Sequence, residues 1–132
     1  MALAVETACR RHEGQPLAAI SDGLVAAYLD TKTRQIKASR ALYACASDLD
    51  TSDLIGGISR RLGEAISMLL ASAADATFAD LASVTFAFRA MLAGTVRSVL
   101  EPGATPSTLA QLRAELPVMC RAYLLAAARR EV

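Results

Sequence analysis

The residues of this chain whose types could do chemistry are few: one histidine, three cysteines, an acidic turn, a glycine pair and one arginine inside an apolar run. His12 stands near the start of the chain with no nucleophile turn beside it, so a hydrolytic triad is excluded and His12 reads as a surface residue. Cys9 and His12 are three apart, which puts both on one helical face. A metal site needs further ligands, and Cys45 and Cys120 are remote in sequence, so no metal and no cofactor is expected. Asp48-x-Asp50 has the opening spacing of a calcium loop, but Asp53 stands where glycine is required and Ser59 where the closing glutamate belongs, which leaves helix capping. Gly56-Gly57 followed by Gly63 lacks the G-x-G-x-x-G spacing, and no strand precedes it, so no phosphate cradle is implied. Paired glycines there permit close approach or local flexibility, at about 1 kcal/mol each relative to alanine.

Arg89 lies within Val84-Thr85-Phe86-Ala87-Phe88-Arg89-Ala90-Met91-Leu92, where an unpaired charge would be expensive to bury. It either meets an acidic ligand group, or reaches the rim or a carboxylate across a helix interface; its wheel position leans towards the second role. Tyr28 and Tyr43 could each offer a hydroxyl to a bound molecule or serve as core residues with the hydroxyl at the edge. A small helical enzyme would need several charged groups converging on one pocket, and Arg89 alone intrudes on an apolar segment, so no enzymatic activity is expected.

These residues must be positioned by a fold, and the chain can build one. Its 132 residues fit one domain, and 54% hydrophobic against 20% charged residues bury enough apolar surface to offset the cost of ordering the backbone. Fourteen Lys and Arg against 13 Asp and Glu leave a net charge of +1, far from the basic excess that binds nucleic acid. Three widely spaced cysteines without a C-x-x-C suggest neither a disulfide framework nor a zinc site, and fit a reducing cytoplasm. Glu6 and Arg10-Arg11 interrupt any secretory signal, while Glu64 and Asp75 fence the most apolar stretch, Ala65 to Ala74, so neither export nor membrane insertion is expected.

Apolar residues three or four apart predict an all-α bundle of about five to six helices. The first spans Ala2 to His12 and ends at Glu13-Gly14-Gln15-Pro16. The second runs from Pro16 to about Asp30 with Leu17, Ile20, Leu24 and Tyr28 inward, and the third from about Thr33 to Ser47 with Ala38, Leu42, Cys45 and Leu49. Acidic capping residues in Asp48 to Asp53 open a fourth, reaching about Ala74, with Ile55, Ile58, Leu62, Ile66, Leu69 and Ala73 inward and Arg60, Arg61 and Glu64 outward.

The last two helices have two apolar faces each. From about Phe78 to Glu101, Leu81, Val84, Phe88, Leu92, Thr95 and Val99 form the core stripe, and Ala82, Phe86, Ala90, Ala93 and Leu100 the opposite face, with Arg89 and Arg97 among them. After the turn Glu101 to Ser107, a helix to about Arg130 turns Leu109, Leu112, Leu116, Met119, Tyr123 and Ala127 inward, and Ala110, Ala114, Val118, Leu125 and Ala128 outward. Pro117 should kink or divide it. Two such helices side by side predict an isologous homodimer in which this pair packs on its copy as an intersubunit four-helix bundle.

The segments Pro16-Leu17-Ala18-Ala19-Ile20, Ala26-Ala27-Tyr28-Leu29-Asp30, Arg40-Ala41-Leu42-Tyr43 and Phe88 to Val96, followed by the Leu-rich last helix, resemble the C-terminal regulatory domain of TetR-family transcriptional regulators. The resemblance covers nearly the whole chain and rests on helix order and diffuse apolar patterns. It implies a single regulatory domain over residues 1–132 that binds a small hydrophobic effector and dimerises. DNA would be read only through a helix-turn-helix domain absent from this chain, since Met1 begins about where that domain gives way to the connecting helix. The implied effector lining is Leu24, Tyr28, Tyr43, Leu62, Ile66, Thr85, Phe88 and Leu92. The implied dimer interface is Phe86, Arg89, Ala90, Ala93, Arg97, Ala110, Ala114, Val118, Arg121 and Leu125. The alternative is an all-α homodimeric interaction module without a small-molecule ligand.

Overall fold

The computed structural model describes residues 2–34 and 52–130. Among these it is an all-α bundle of five helices: α1 (Ala2–His12), α2 (Leu17–Arg34), α3 (Ser52–Ala71), α4 (Leu81–Leu100) and α5 (Pro106–Ala127). Two short strands, β1 (Ala76–Thr77) and β2 (Arg129–Arg130), pair antiparallel. Thr33 and Arg34, where a third helix is expected to begin, belong to α2, and the rest of that helix, with Ala38, Leu42, Tyr43, Cys45 and Leu49, lies outside the described residues, as do the side chains of Ile55 and Ile58.

Helix α2 organises the bundle. It buries Leu17, Ile20, Ser21, Leu24, Val25, Tyr28, Leu29 and Lys32, more than one stripe, and packs chiefly against α1 and α5. It also runs past the break expected after Asp30, because the hydroxyls of Thr31 and Thr33 donate to the carbonyls of Ala27 and Leu29 one turn back (2.8 and 2.7 Å) instead of diverting the backbone. Gly23 lets α1 close on α2, since the His12 ring occupies the space a Cβ there would need. His12 is therefore half-buried rather than a surface residue, with Nδ1 2.7 Å from Gln15 Oε1.

Two arginines of α5 fix its register on α2. Arg121 Nη2 donates to both carboxylate oxygens of Asp22 at 2.8 Å, while Arg113 donates to Asp30 at 3.3 Å and to the Thr33 hydroxyl at 2.8 Å. As the α5 residue number rises its partner's falls by the same step, so the two helices run antiparallel. Both carboxylates are about half exposed, so these pairs set alignment more than they add stability.

Helix ends differ from the periodicity at several places, each with a local cause. Helix α3 stops at Ala71, short of Ala74, where the Ser72 hydroxyl donates to the Leu69 carbonyl at 2.6 Å and the Ser72 and Ala73 amides tighten onto residues three back. Helix α4 starts at Leu81 because Asp80 caps it: one carboxylate oxygen accepts from the Ser83 amide at 3.1 Å, the other from the Ser83 hydroxyl at 2.9 Å. Thr105 and Thr108 form a capping box at the start of α5, and Pro106 takes the first turn, where a missing N–H is harmless. Pro117 does not divide α5, which ends at Ala127 so that Arg129–Arg130 can pair with Ala76–Thr77.

The stripes of α4 and α5 are rotated from the wheel reading. Leu100, assigned to the outer face, is fully buried, as is Val96. In α5 the buried ridge is Leu112, Leu116, Cys120 and Leu124, while Met119, expected inward, is 40% exposed. An i, i+4 ridge seated in a neighbour's groove produces this offset.

Two measurements test these assignments. Phe88→Ala should lower unfolding free energy by about 3–5 kcal/mol in urea titration, because the ring is fully buried, whereas Phe86→Ala on the exposed side should change the subunit's own stability little. The hydrogen bonds from Ser83 hold the Asp80 carboxyl below its usual range, so the stabilisation from its charge is complete above that range and is lost as pH falls through the lowered folded value. Asp80→Asn, which keeps an acceptor, should match wild type more closely at about pH 3 than at about pH 7 in urea midpoints.

Candidate effector and association surfaces

The described lining residues come together. Leu24 and Tyr28 from α2, Leu62 and Ile66 from α3, and Phe88 and Leu92 from α4 are all buried in one continuous core, with Thr85 buried beside them on α4. Tyr43 lies outside the described residues. Two hydroxyls, Ser21 Oγ on α2 and Thr85 Oγ1 on α4, are buried without a hydrogen-bond partner among the described residues. Each such group costs about 1–3 kcal/mol until something satisfies it. Sequence reasoning also missed Lys32, which is buried with its ammonium 5.7 Å from the Tyr28 ring centre; the four-residue spacing of the pair was the available signal. The region is therefore an apolar core with the Thr85 hydroxyl set into it.

Much of the outer side of α4 and α5 is bare. Ala82, Phe86, Ala90 and Ala93 on α4, and Ala110, Ala114 and Val118 on α5, are exposed, Phe86 to 74% and Val118 to 55%. Arg97 is exposed and pairs with Glu101 one turn on at 3.3 Å. The remaining candidates lean on their own chain. Arg89 turns towards α3, so close that a Cβ at Gly63 would meet Nη1 at 2.5 Å; Gly63 is the glycine that permits the approach. Arg121 is engaged with Asp22, and Leu125 is half-buried against the core.

An open groove of about 340 Å³ runs between α1 and α3, lined by Glu6, Cys9, Arg10, Glu13, Arg61, Glu64, Ala65, Met68 and Leu69. It shares no wall with the expected effector lining, and sequence reasoning had assigned Arg61 and Glu64 only to an outer face. Arg61 is tied to Glu6 across it at 2.9 Å. Burial, then the Glu6 charge, pushes the Cys9 thiol up against the opposing pull of Arg10, and burial alone pushes Cys120 up to about 11. Both thiols stay protonated near neutrality and are poor nucleophiles. Among the described residues no three side chains of metal-binding type come together.

Comparison with known families matches residues 16–124 to the family described as Tetracyclin repressor-like, C-terminal domain. No curated protein and no solved structure gives a match. Among the described residues no helix is long and apolar enough to cross a membrane. The matched span takes in α2 to α4, most of α5 and nearly the whole core described above, and on that ground the chain belongs to the tetracycline repressor-like C-terminal domain family, the regulatory part of TetR-family transcription regulators.

Proposed function

We propose that this domain is the effector-sensing and dimerisation module of a cytoplasmic TetR-family repressor, without enzymatic activity. The observation that carries the reading is the bare apolar face of α4 and α5, centred on Phe86 and Val118, in a chain of this family. Covering that face with its own copy is the commonest symmetric solution and yields a four-helix interface. A small hydrophobic or aromatic effector would enter between α2, α3 and α4, beside Leu24, Tyr28, Leu62, Ile66, Thr85, Phe88 and Leu92. Those residues are closely covered, so the ligand acts by selecting a more open arrangement in which the Ser21 and Thr85 hydroxyls find partners. A differential affinity of about 1–3 kcal/mol between the two arrangements changes operator affinity five- to 150-fold at a helix-turn-helix that these residues do not include.

The burial of the lining favours a second reading, a homodimeric interaction module with no small-molecule ligand. Sedimentation and thermal-shift measurements separate the two. The wild-type chain should sediment as a dimer, and Phe86→Asp with Val118→Asp as a monomer with near wild-type helicity. A panel of lipophilic and aromatic acids should raise the melting temperature of the wild type, by about 4 °C or more where saturation contributes several kcal/mol. A wild-type monomer at high concentration overturns the dimer, and a dimer that no member of the panel stabilises leaves the interaction module as the reading.

A further inference from the structure

Two distant parts of the chain meet at residues 72–77. Helix α2 begins directly after Pro16, whose side chain offers no oxygen to the unsatisfied amides of the first turn. The acceptor comes instead from 58 residues away: Asp75 Oδ1 takes the Leu17 amide at 2.8 Å and places negative charge at the positive end of α2. Beside it the Ala74 amide donates to the Gln15 carbonyl and the Gly14 amide to the Ser72 hydroxyl, both at 3.0 Å. The elbow between α1 and α2, with Gly14 in the left-handed region at φ 76°, is thus held from outside itself. Directly after Asp75, Ala76–Thr77 is held in turn by Arg129–Arg130, which follow the last residues of α5.

We propose that β2 is a latch: its pairing with β1 keeps Asp75 on the start of α2, so the tail of the association helix α5 governs the elbow from which α1 departs. A two-residue strand pair is marginal by itself, which makes it easy to release. The latch belongs to a single subunit. Only its consequence, passing a change at the α5 face to α1, rests on the regulator reading above.

Amide hydrogen exchange tests it in the full chain carrying Phe86→Asp and Val118→Asp, so that dimerisation does not enter. Deleting Arg129 to Val132, or introducing Arg129→Pro to break the pairing without shortening the chain, should speed exchange at Leu17 and Ala74 by about tenfold or more, leaving the α5 interior from Leu116 to Leu124 protected. Asp75→Ala should reproduce the effect at Leu17, while Asp75→Asn, which retains the accepting oxygen, should stay near the parent. Unchanged protection at Leu17 and Ala74 in both strand variants overturns the latch, as does equal loss across the elbow and α5. Neither result bears on whether the chain dimerises.

Discussion

Helix α2 has apolar residues on more than one side, from Leu17 and Ile20 round to Val25 and Leu29, and such a helix is stable only where neighbours cover each side. The other helices are placed by that requirement. Helix α1 is drawn in over Gly23, α5 lies antiparallel along α2 in a register fixed by Arg113 and Arg121, and α3 and α4 close the bundle around Phe88. With α2 taking one face of α5, and α3 and α5 taking one face of α4, the outer faces of the last two helices have no partner within the described residues. The bare face is thus a consequence of what α2 demands.

That division leaves three regions of different character. The interior holds the buried hydroxyls of Ser21 and Thr85, the outside of α4 and α5 holds Phe86 and Val118, and the elbow at Gly14 joins α1 to the rest through hydrogen bonds from the residues after α3. Among the described residues the α2–α5 arginine ladder and the β1–β2 pair tie separate elements to one another.

Much of this was legible in the sequence. The 3.6-residue period points to the five described helices, the Gly14-Gln15-Pro16 signal to the first boundary, and Leu17, Ile20, Leu24 and Tyr28 lie in the core as the wheel requires. A wheel assigns one face per helix, however, so it passed over Ser21, Val25, Leu29 and Lys32 on the other sides of α2. Cys120, which the sequence reading considers only as a remote metal ligand, is a packing residue, and with Leu116 and Leu124 it follows an i, i+4 ridge that drifts away from the stripe through Met119. The Asp75 cap and the short strand pair join residues more than 50 positions apart, and local pattern carries no signal for them. The charged groove between α1 and α3 was equally hidden, since it exists only once the two helices are set side by side.

Self-association through α4 and α5 can be read residue by residue with hydroxyl-radical footprinting over a range of chain concentrations. Phe86 lies on the face assigned to the second copy, whereas Met68, 74% exposed on the far groove, serves as an internal reference. Oxidation of Phe86 should fall as concentration rises while that of Met68 stays constant. Equal oxidation of Phe86 at every concentration, together with the mass of a single chain, would contradict the assignment.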